Sequence, residues 1–515
     1  MKRRLKPPFA LVLGIVAGLA ALGHAAAPDA DPAADAGADA GADAVRDVWL
    51  PSRAEVVHWH WQKDRHGPAL TGNASWQRFM AFLETELAQA GVVDLERNAW
   101  SFERWRTSHW PDDSRWSLTV AGRHVEVASF GANSGSTGPD GVTAPLALYE
   151  PGDDPESLAG RIAVLRTRLS EETVRALAET DYEYRSPPES YPEPGKPVPK
   201  TVDSVSWRIF PQLMQTRELI ATARDAGAEG AVLIFDAGRE QMAGMYTFPV
   251  PERYDVPTLM LDRGAGARVV RAARAGASAT LRLEAEVVRS EAYQLVGFLP
   301  GRHYGTPQDE QIQLVTHTDG PSVSQDNGAL GILALVRHYA RLPREERPRT
   351  LMVFLDARHF MPGQEAAFPD EDYFVRHPDA REDVVAVVGM EHLGQIEYVE
   401  NGDRLEQSGR VDPSMIWTTD DPALVDVAVQ AVQDNGLPSA AVRNVDRPGI
   451  HGRGQGRWYG MASFAREAGL PGVAIMGTMG AYWATSSGVA RLDPGLFRRQ
   501  VATFVQITDA LMHHE

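Results

Sequence analysis

Apolar residues recur at helical spacing between Ser75 and Gly91, where Trp76, Phe79, Met80, Phe82, Leu83 and Leu87 share one face and Gly91 closes the run. Strand-like stretches follow around Trp116 to Val120 and His124 to Ala128. From about Ser136 to Glu286 the pattern changes to short strands, at Pro145 to Tyr149, Arg161 to Leu165, Gly230 to Phe235, Pro257 to Leu261 and Ala279 to Glu284. One helix, Thr216 to Ala226, lies among them, and the proline-rich stretch Ser186 to Lys200 reads as an exposed insertion. Beyond Tyr293 strands and helices alternate. Ile312 to Val315, Thr350 to Leu355, Val384 to Val388 and Gly472 to Met476 are apolar throughout, as strands buried on both faces are, while Asn327 to Leu342, Pro422 to Asn435 and Pro494 to His513 read as helices. This order predicts an α/β fold: a mostly parallel central sheet flanked by helices, with a β-rich insert. Nearer the start, the alternation of His58, Trp59, His60 and Trp61, with His66 beyond, reads as a strand packed on the domain.

The first residues follow another logic. Lys2, Arg3, Arg4 and Lys6 precede an apolar run from Phe9 to Leu22, and the small residues Gly23, Ala25, Ala26 and Ala27 follow, which is the layout of a secretory signal. The run is shorter than the ~20 apolar residues that a bilayer requires. Residues 1–27 are therefore expected to be a signal peptide, leaving no stable membrane span after cleavage, and the protein to be periplasmic or secreted. Residues 28–44, rich in Ala, Asp and Gly, have almost nothing to bury and read as a disordered linker.

Composition narrows the chemistry. The 515 residues are 43% hydrophobic and 23% charged, as in ordinary globular chains. With 69 acidic against 51 basic side chains the net charge is −18, which argues against nucleic acid as a partner, since phosphate contacts require a basic face. Cysteine is absent, so disulfides, thiolate ligands and cysteine nucleophiles are excluded, and any metal site is built from His, Asp and Glu.

Such residues cluster just past the buried strands, where open α/β sheets place their sites. His317-Thr318-Asp319 follows the first strand and Asp326-Asn327-Gly328 opens the next helix; Asp356-Ala357-Arg358-His359 follows the second strand and Glu391-His392 the third. Imidazole and carboxylate suit zinc where no thiolate is present, and Asp319, two residues beyond His317, is placed to accept the other ring N–H. His392 reads as structural, because adjacent strand residues face opposite ways.

In these motifs the chain resembles the M28 family of zinc aminopeptidases, over about Val45 to Ser134 and Tyr293 to Glu515. The family pattern is H-x-D, then D-N, then E-E, then D or E, then a late histidine. The resemblance implies that His317 and Glu391 hold a first zinc, that Asp326 bridges two ions, and that Asp319 orients His317. It also implies a metallopeptidase domain split into residues 45–135 and 290–515. Between them, residues 136–289 resemble a protease-associated domain through GRIAVLRTR, ATARDAGAEGAVLIFD and VPTLMLDRGAGARVV in that order.

The motif is degenerate. Arg358-His359 stands where the family has Glu-Glu; arginine cannot replace the first glutamate as general base, whereas neutral His359 is able to bind zinc in place of the second. No histidine lies in GTMGAYWATSSGVARLD, where the late ligand belongs, and Trp483 or a neighbour fills its slot. One zinc, on His317, Asp326 and Glu391 with His359 as a further ligand or the base, is expected rather than two. Glu365 and His392 are weaker base candidates, Arg358 is a candidate for holding a substrate carboxylate or an oxyanion, and His451, in a glycine-rich loop, is a substrate-binding candidate. The leading expectation is an exported amide hydrolase of aminopeptidase type, acting on peptides or other small amides. The alternatives are an inactive relative with a binding role and a one-zinc enzyme resembling glutaminyl cyclases.

Overall fold

The computed structural model describes residues 49–169, 181–187, 205–246, 252–320, 322–361, 372–450, 452, 458–478, 480–484 and 487–514. The expected signal peptide and linker lie outside the described residues, as do Glu365, His451 and residues 188–200 of the proline-rich stretch.

A nine-stranded sheet carries the chemistry. Its strands are β1 (Val93–Arg106), β2 (Tyr184–Arg185), β3 (Glu286–Leu299), β4 (Gln311–His317), β5 (Thr350–Asp356), β6 (Val384–Glu391), β7 (Ser414–Thr418), β8 (Ala440–Asn444) and β9 (Gly472–Gly477). Their spatial order is β1-β3-β5-β4-β6-β9-β7-β8-β2. The four central strands, β5, β4, β6 and β9, run parallel. At the flanks β3 is antiparallel to β5 and β7 to β9, so the expected parallel sheet is the middle of a mixed one.

Both faces of this centre are covered, which is why its strands read as unbroken apolar runs. In β5, Leu351, Val353 and Leu355 enter one core cluster, whereas Met352 and Phe354 enter the other. The first cluster lies under a layer of helices: α1 (Arg53–Asp64), α2 (Ala74–Gln89), α3 (Gly328–Tyr339), α4 (Pro422–Asp434) and α5 (Pro494–His513). The second is closed by short turns, among them Tyr373–Arg376, Met461–Ser463 and Phe464–Ala468.

The segment expected to be a strand at His58 to Trp61 is helix α1 instead. Four residues of alternation are too few to separate the two periods, and the capping box at its start decides: the Ser52 side chain accepts from the Glu55 N–H, and the Glu55 carboxylate accepts from the Ser52 N–H. Val56, Trp59, His60 and Lys63 then form one buried face at helical spacing.

A second, eight-stranded sheet is built from strands between Trp116 and Leu283, inside the connection from β1 to β3. The same connection sends Tyr184–Arg185 back to the first sheet as its edge strand β2, where the buried Ser186 donates to and accepts from the Ala440 backbone. The start of the proline-rich stretch is thus anchored rather than exposed. Among the described residues, no helix is long and apolar enough to cross a membrane.

Candidate metal centre

His317 is the last residue of β4 and Glu391 the last of β6, strands that lie side by side and parallel. Alternation places Val315 and Val387 in the second core cluster, so His317 and Glu391, two and four residues further on, end their strands on that same face. Met461, on a turn covering this face, donates its N–H to Glu391 Oε1 at 2.5 Å. Residue 392 would normally point away. His392, however, has φ 57°, a left-handed conformation rare outside glycine, and this turn brings its ring back to its neighbour's side.

Three donors meet as a result. His392 Nε2 lies 3.4 Å from His317 Nε2, and Glu391 Oε2 lies 3.7 Å from the same nitrogen. All three residues are at most 2% exposed. Among the described residues, these three form the one group of His, Asp or Glu side chains whose donor atoms all lie within 4.8 Å of one another.

The tautomer of His317 follows from its other nitrogen. Nδ1 lies 2.9 Å from the Asp319 carbonyl oxygen, which only accepts, so Nδ1 carries the proton and the Nε2 lone pair faces the group. Burial lowers the His317 pKa to about 4 and keeps the ring neutral. It also pushes the Glu391 carboxyl up to about 7, with the Met461 N–H opposing. Glu391 Oε2 is buried and accepts no hydrogen bond. Two imidazoles and a carboxylate with a free oxygen are a donor set that zinc accepts, with a coordination position left open.

Strand alternation points His392 away from the site, but the strand ends at Glu391 and the alternation does not extend to residue 392. Asp319 orients His317 through its backbone carbonyl rather than through its carboxylate, whose Oδ1 stands 3.8 Å from Nδ1. The carboxylate accepts instead from the Thr71 hydroxyl and the Phe360 N–H, both at 2.6 Å, tying the loops after β4 and β5 together. From α2, Trp76 donates its indole N–H to Thr318 at 3.0 Å and clamps the same loop.

Asp326 falls outside the group of three. It is fully buried, and its Oδ1 forms an ion pair at 2.7 Å with Lys63 of α1. Asn327 beside it accepts from the Leu393 N–H and donates to the Leu393 carbonyl, both at 2.8 Å, fixing the start of α3 to the turn that holds His392. His60, in the aromatic group near the start of the chain, also bonds Asn327, at 3.0 Å, and so supports the site without entering it.

The Arg358 guanidinium is held by Asp356 and Asp372 and lies over the Trp100 ring, which commits it to these partners. His359 stacks on His317 with ring centroids 4.1 Å apart; burial, together with the charge His317 and His392 would carry, holds its pKa well below the ordinary histidine value. Trp483, in the slot of the late histidine, is a core residue stacked on Phe210.

Gly460 guards the carboxylate. Its φ is 96°, and a Cβ there would stand 2.5 Å from Glu391 Oε1. Gly460→Ala is expected to lower stability by about 1–3 kcal/mol from backbone strain, read as a drop in melting temperature, and to displace Glu391 from the group.

No protein-family model matches the sequence, and no curated protein matches it. Solved structures do. A zinc aminopeptidase from Bacillus subtilis, BSAP, superposes with TM-score 0.56 at 11% identity, covering 90% of this chain and 96% of its own. A peptidase M28 precursor from Shewanella amazonensis SB2B gives 0.57 at 13%, covering 89% and 92%. An aminopeptidase from Aneurinibacillus sp. strain AM-1 gives 0.52 at 13%, again covering 89% and 92%. With nearly the whole chain matched in each case, the fold is that of the M28-type peptidases.

Proposed function

We propose that the protein is a metallohydrolase of the M28 type that cleaves amide bonds, peptides foremost, with a single zinc held by His317, Glu391 and His392. The observation that carries this reading is the convergence of two imidazole nitrogens and an unpartnered carboxylate oxygen in a buried position at the ends of adjacent strands. Zinc in such a set supplies Lewis acidity toward a carbonyl and acidifies water.

The chain's own residues do the rest. The Asp319 carbonyl fixes the tautomer of His317, the Met461 N–H holds Glu391 while the absent side chain of Gly460 leaves it room, and the left-handed turn presents His392. His359, stacked on His317 and held neutral by burial, is the imidazole beside the set that is not one of its three donors, and we assign it the proton-acceptor role. The eight-stranded insert is read as the protease-associated type, and the N-terminal pattern supports an exported protein.

The test pairs metal analysis with hydrolysis of aminoacyl amides. One zinc per chain and activity removed by a chelator, then restored by zinc, are expected; a metal-free active enzyme contradicts the reading. A second reading, an inactive relative that binds ligands, is favoured by one observation: Arg358, in the slot of the family's general base, is locked to Asp356 and Asp372. That reading predicts bound zinc without hydrolysis of any amide tested.

A further inference from the structure

Lys63 sits on the buried face of α1 with its side chain 1% exposed, and its ammonium is ringed by three oxygens. Asp64 Oδ1 and the Ser322 carbonyl oxygen lie at 2.6 Å, and Asp326 Oδ1 at 2.7 Å. Burial disfavours the charge, but Asp326 and Asp64 outweigh it and raise the Lys63 pKa. An amphipathic helix gains nothing from a lysine at this position, because burying an ammonium is costly without compensating anions. The second oxygens of both carboxylates, Asp64 Oδ2 and Asp326 Oδ2, are buried and accept no hydrogen bond. Two carboxylates and a backbone carbonyl form an all-oxygen nest of the kind that hard divalent cations occupy.

We propose that Lys63 is a tethered cation that takes the place of a second metal ion beside Asp326. Its ammonium donates to Asp64 Oδ1 and the Ser322 carbonyl and pairs in charge with Asp326 Oδ1, so the protein itself supplies the cation that offsets one of the two carboxylate charges without metal. Asp326, which the resemblance makes a bridging ligand, is thereby turned to the helix and withheld from the group of His317, Glu391 and His392. The inference rests on the single-metal reading only for the metal content of the unaltered chain.

The experiment uses the full chain in a His317→Ala background, in which the proposed zinc site is already broken. Manganese is the probe, followed by equilibrium dialysis with metal analysis and by thermal melting. The His317→Ala chain is expected to bind no manganese at Asp326, and its melting temperature to be insensitive to the ion. Adding Lys63→Ala is expected to create a site for one manganese ion and to make the melting temperature rise with its concentration. Adding Asp326→Asn as a third change is expected to remove that site. If the Lys63→Ala combination is unfolded alone, manganese should restore cooperative melting. No manganese gain, no rescue, or binding undiminished by Asp326→Asn overturns the proposal, as does a second tightly bound metal ion in the unaltered chain. Loss of hydrolysis or of zinc at His317 leaves these readouts untouched, so failure of the metallohydrolase reading is distinguishable.

Discussion

His392→Asn is expected to empty the metal centre and to lower hydrolysis of aminoacyl amides by about 100-fold or more, since even groups that merely orient metal ligands are worth 10–100-fold. Asparagine is the informative replacement because it tolerates the left-handed conformation that residue 392 adopts, with φ 57°. The turn therefore persists, Asn327 keeps both hydrogen bonds to Leu393, and only the imidazole is lost. What remains is His317 Nε2 and Glu391 Oε2, one donor short of the three that a catalytic zinc requires. Zinc per chain falls well below one while the melting temperature of the metal-free protein stays near that of the metal-free parent. His392→Ala loses the metal as well, but adds about 1–2 kcal/mol of strain because alanine pays for a left-handed backbone. Full zinc occupancy in the asparagine variant removes His392 from the donor set and returns the choice to Asp326.

Most of the fold was legible because its centre is built from strands buried on both sides. Burial makes Leu351 to Leu355 an unbroken apolar run, and helix ends at Asn327, Asp421 and Asp493 carry side chains that cap or abut them. The flanking strands were harder: β2 is two residues long and reaches the sheet edge through Ser186, a pairing that no local pattern announces. Helix α1 is not legible in its sequence because a His-Trp-His-Trp run fits period two as well as a helical face. In the site, His317 and Glu391 were legible as polar residues ending apolar strands. His392 was hidden by backbone conformation, a property of one torsion rather than of a pattern. Asp326 reads as a ligand in the sequence because nothing local links it to Lys63, which lies 263 positions earlier in the chain and is brought to it by the packing of α1.

Arg358→Glu, which restores the family's glutamate at this slot, is expected to give a less stable protein with no gain in hydrolysis. Arg358 Nε lies 3.0 Å from both oxygens of Asp356, and its terminal nitrogen reaches Asp356 at 2.5 Å and Asp372 at 2.9 Å. Burial works against the Asp356 charge, yet Arg358 outweighs it and holds that carboxyl below its ordinary value. Such a depressed carboxylate contributes stability above its unfolded pKa and loses it as pH falls through the folded one, so the contribution is in place at neutral pH. Breaking a buried pair of this kind costs about 3–5 kcal/mol, and a new carboxylate beside two others adds like-charge repulsion. Carboxylates crowded in this way have raised pKa values, so the folded variant binds protons that the unfolded chain does not, and its deficit narrows as pH falls toward about 4. Denaturant melts of both proteins across this range check the sign: the gap in stability is widest near neutrality and shrinks on acidification. An Arg358→Glu chain that melts like its parent and hydrolyses amides faster would mean that this side chain turns toward His317 after all, and that the guanidinium is expendable to the fold.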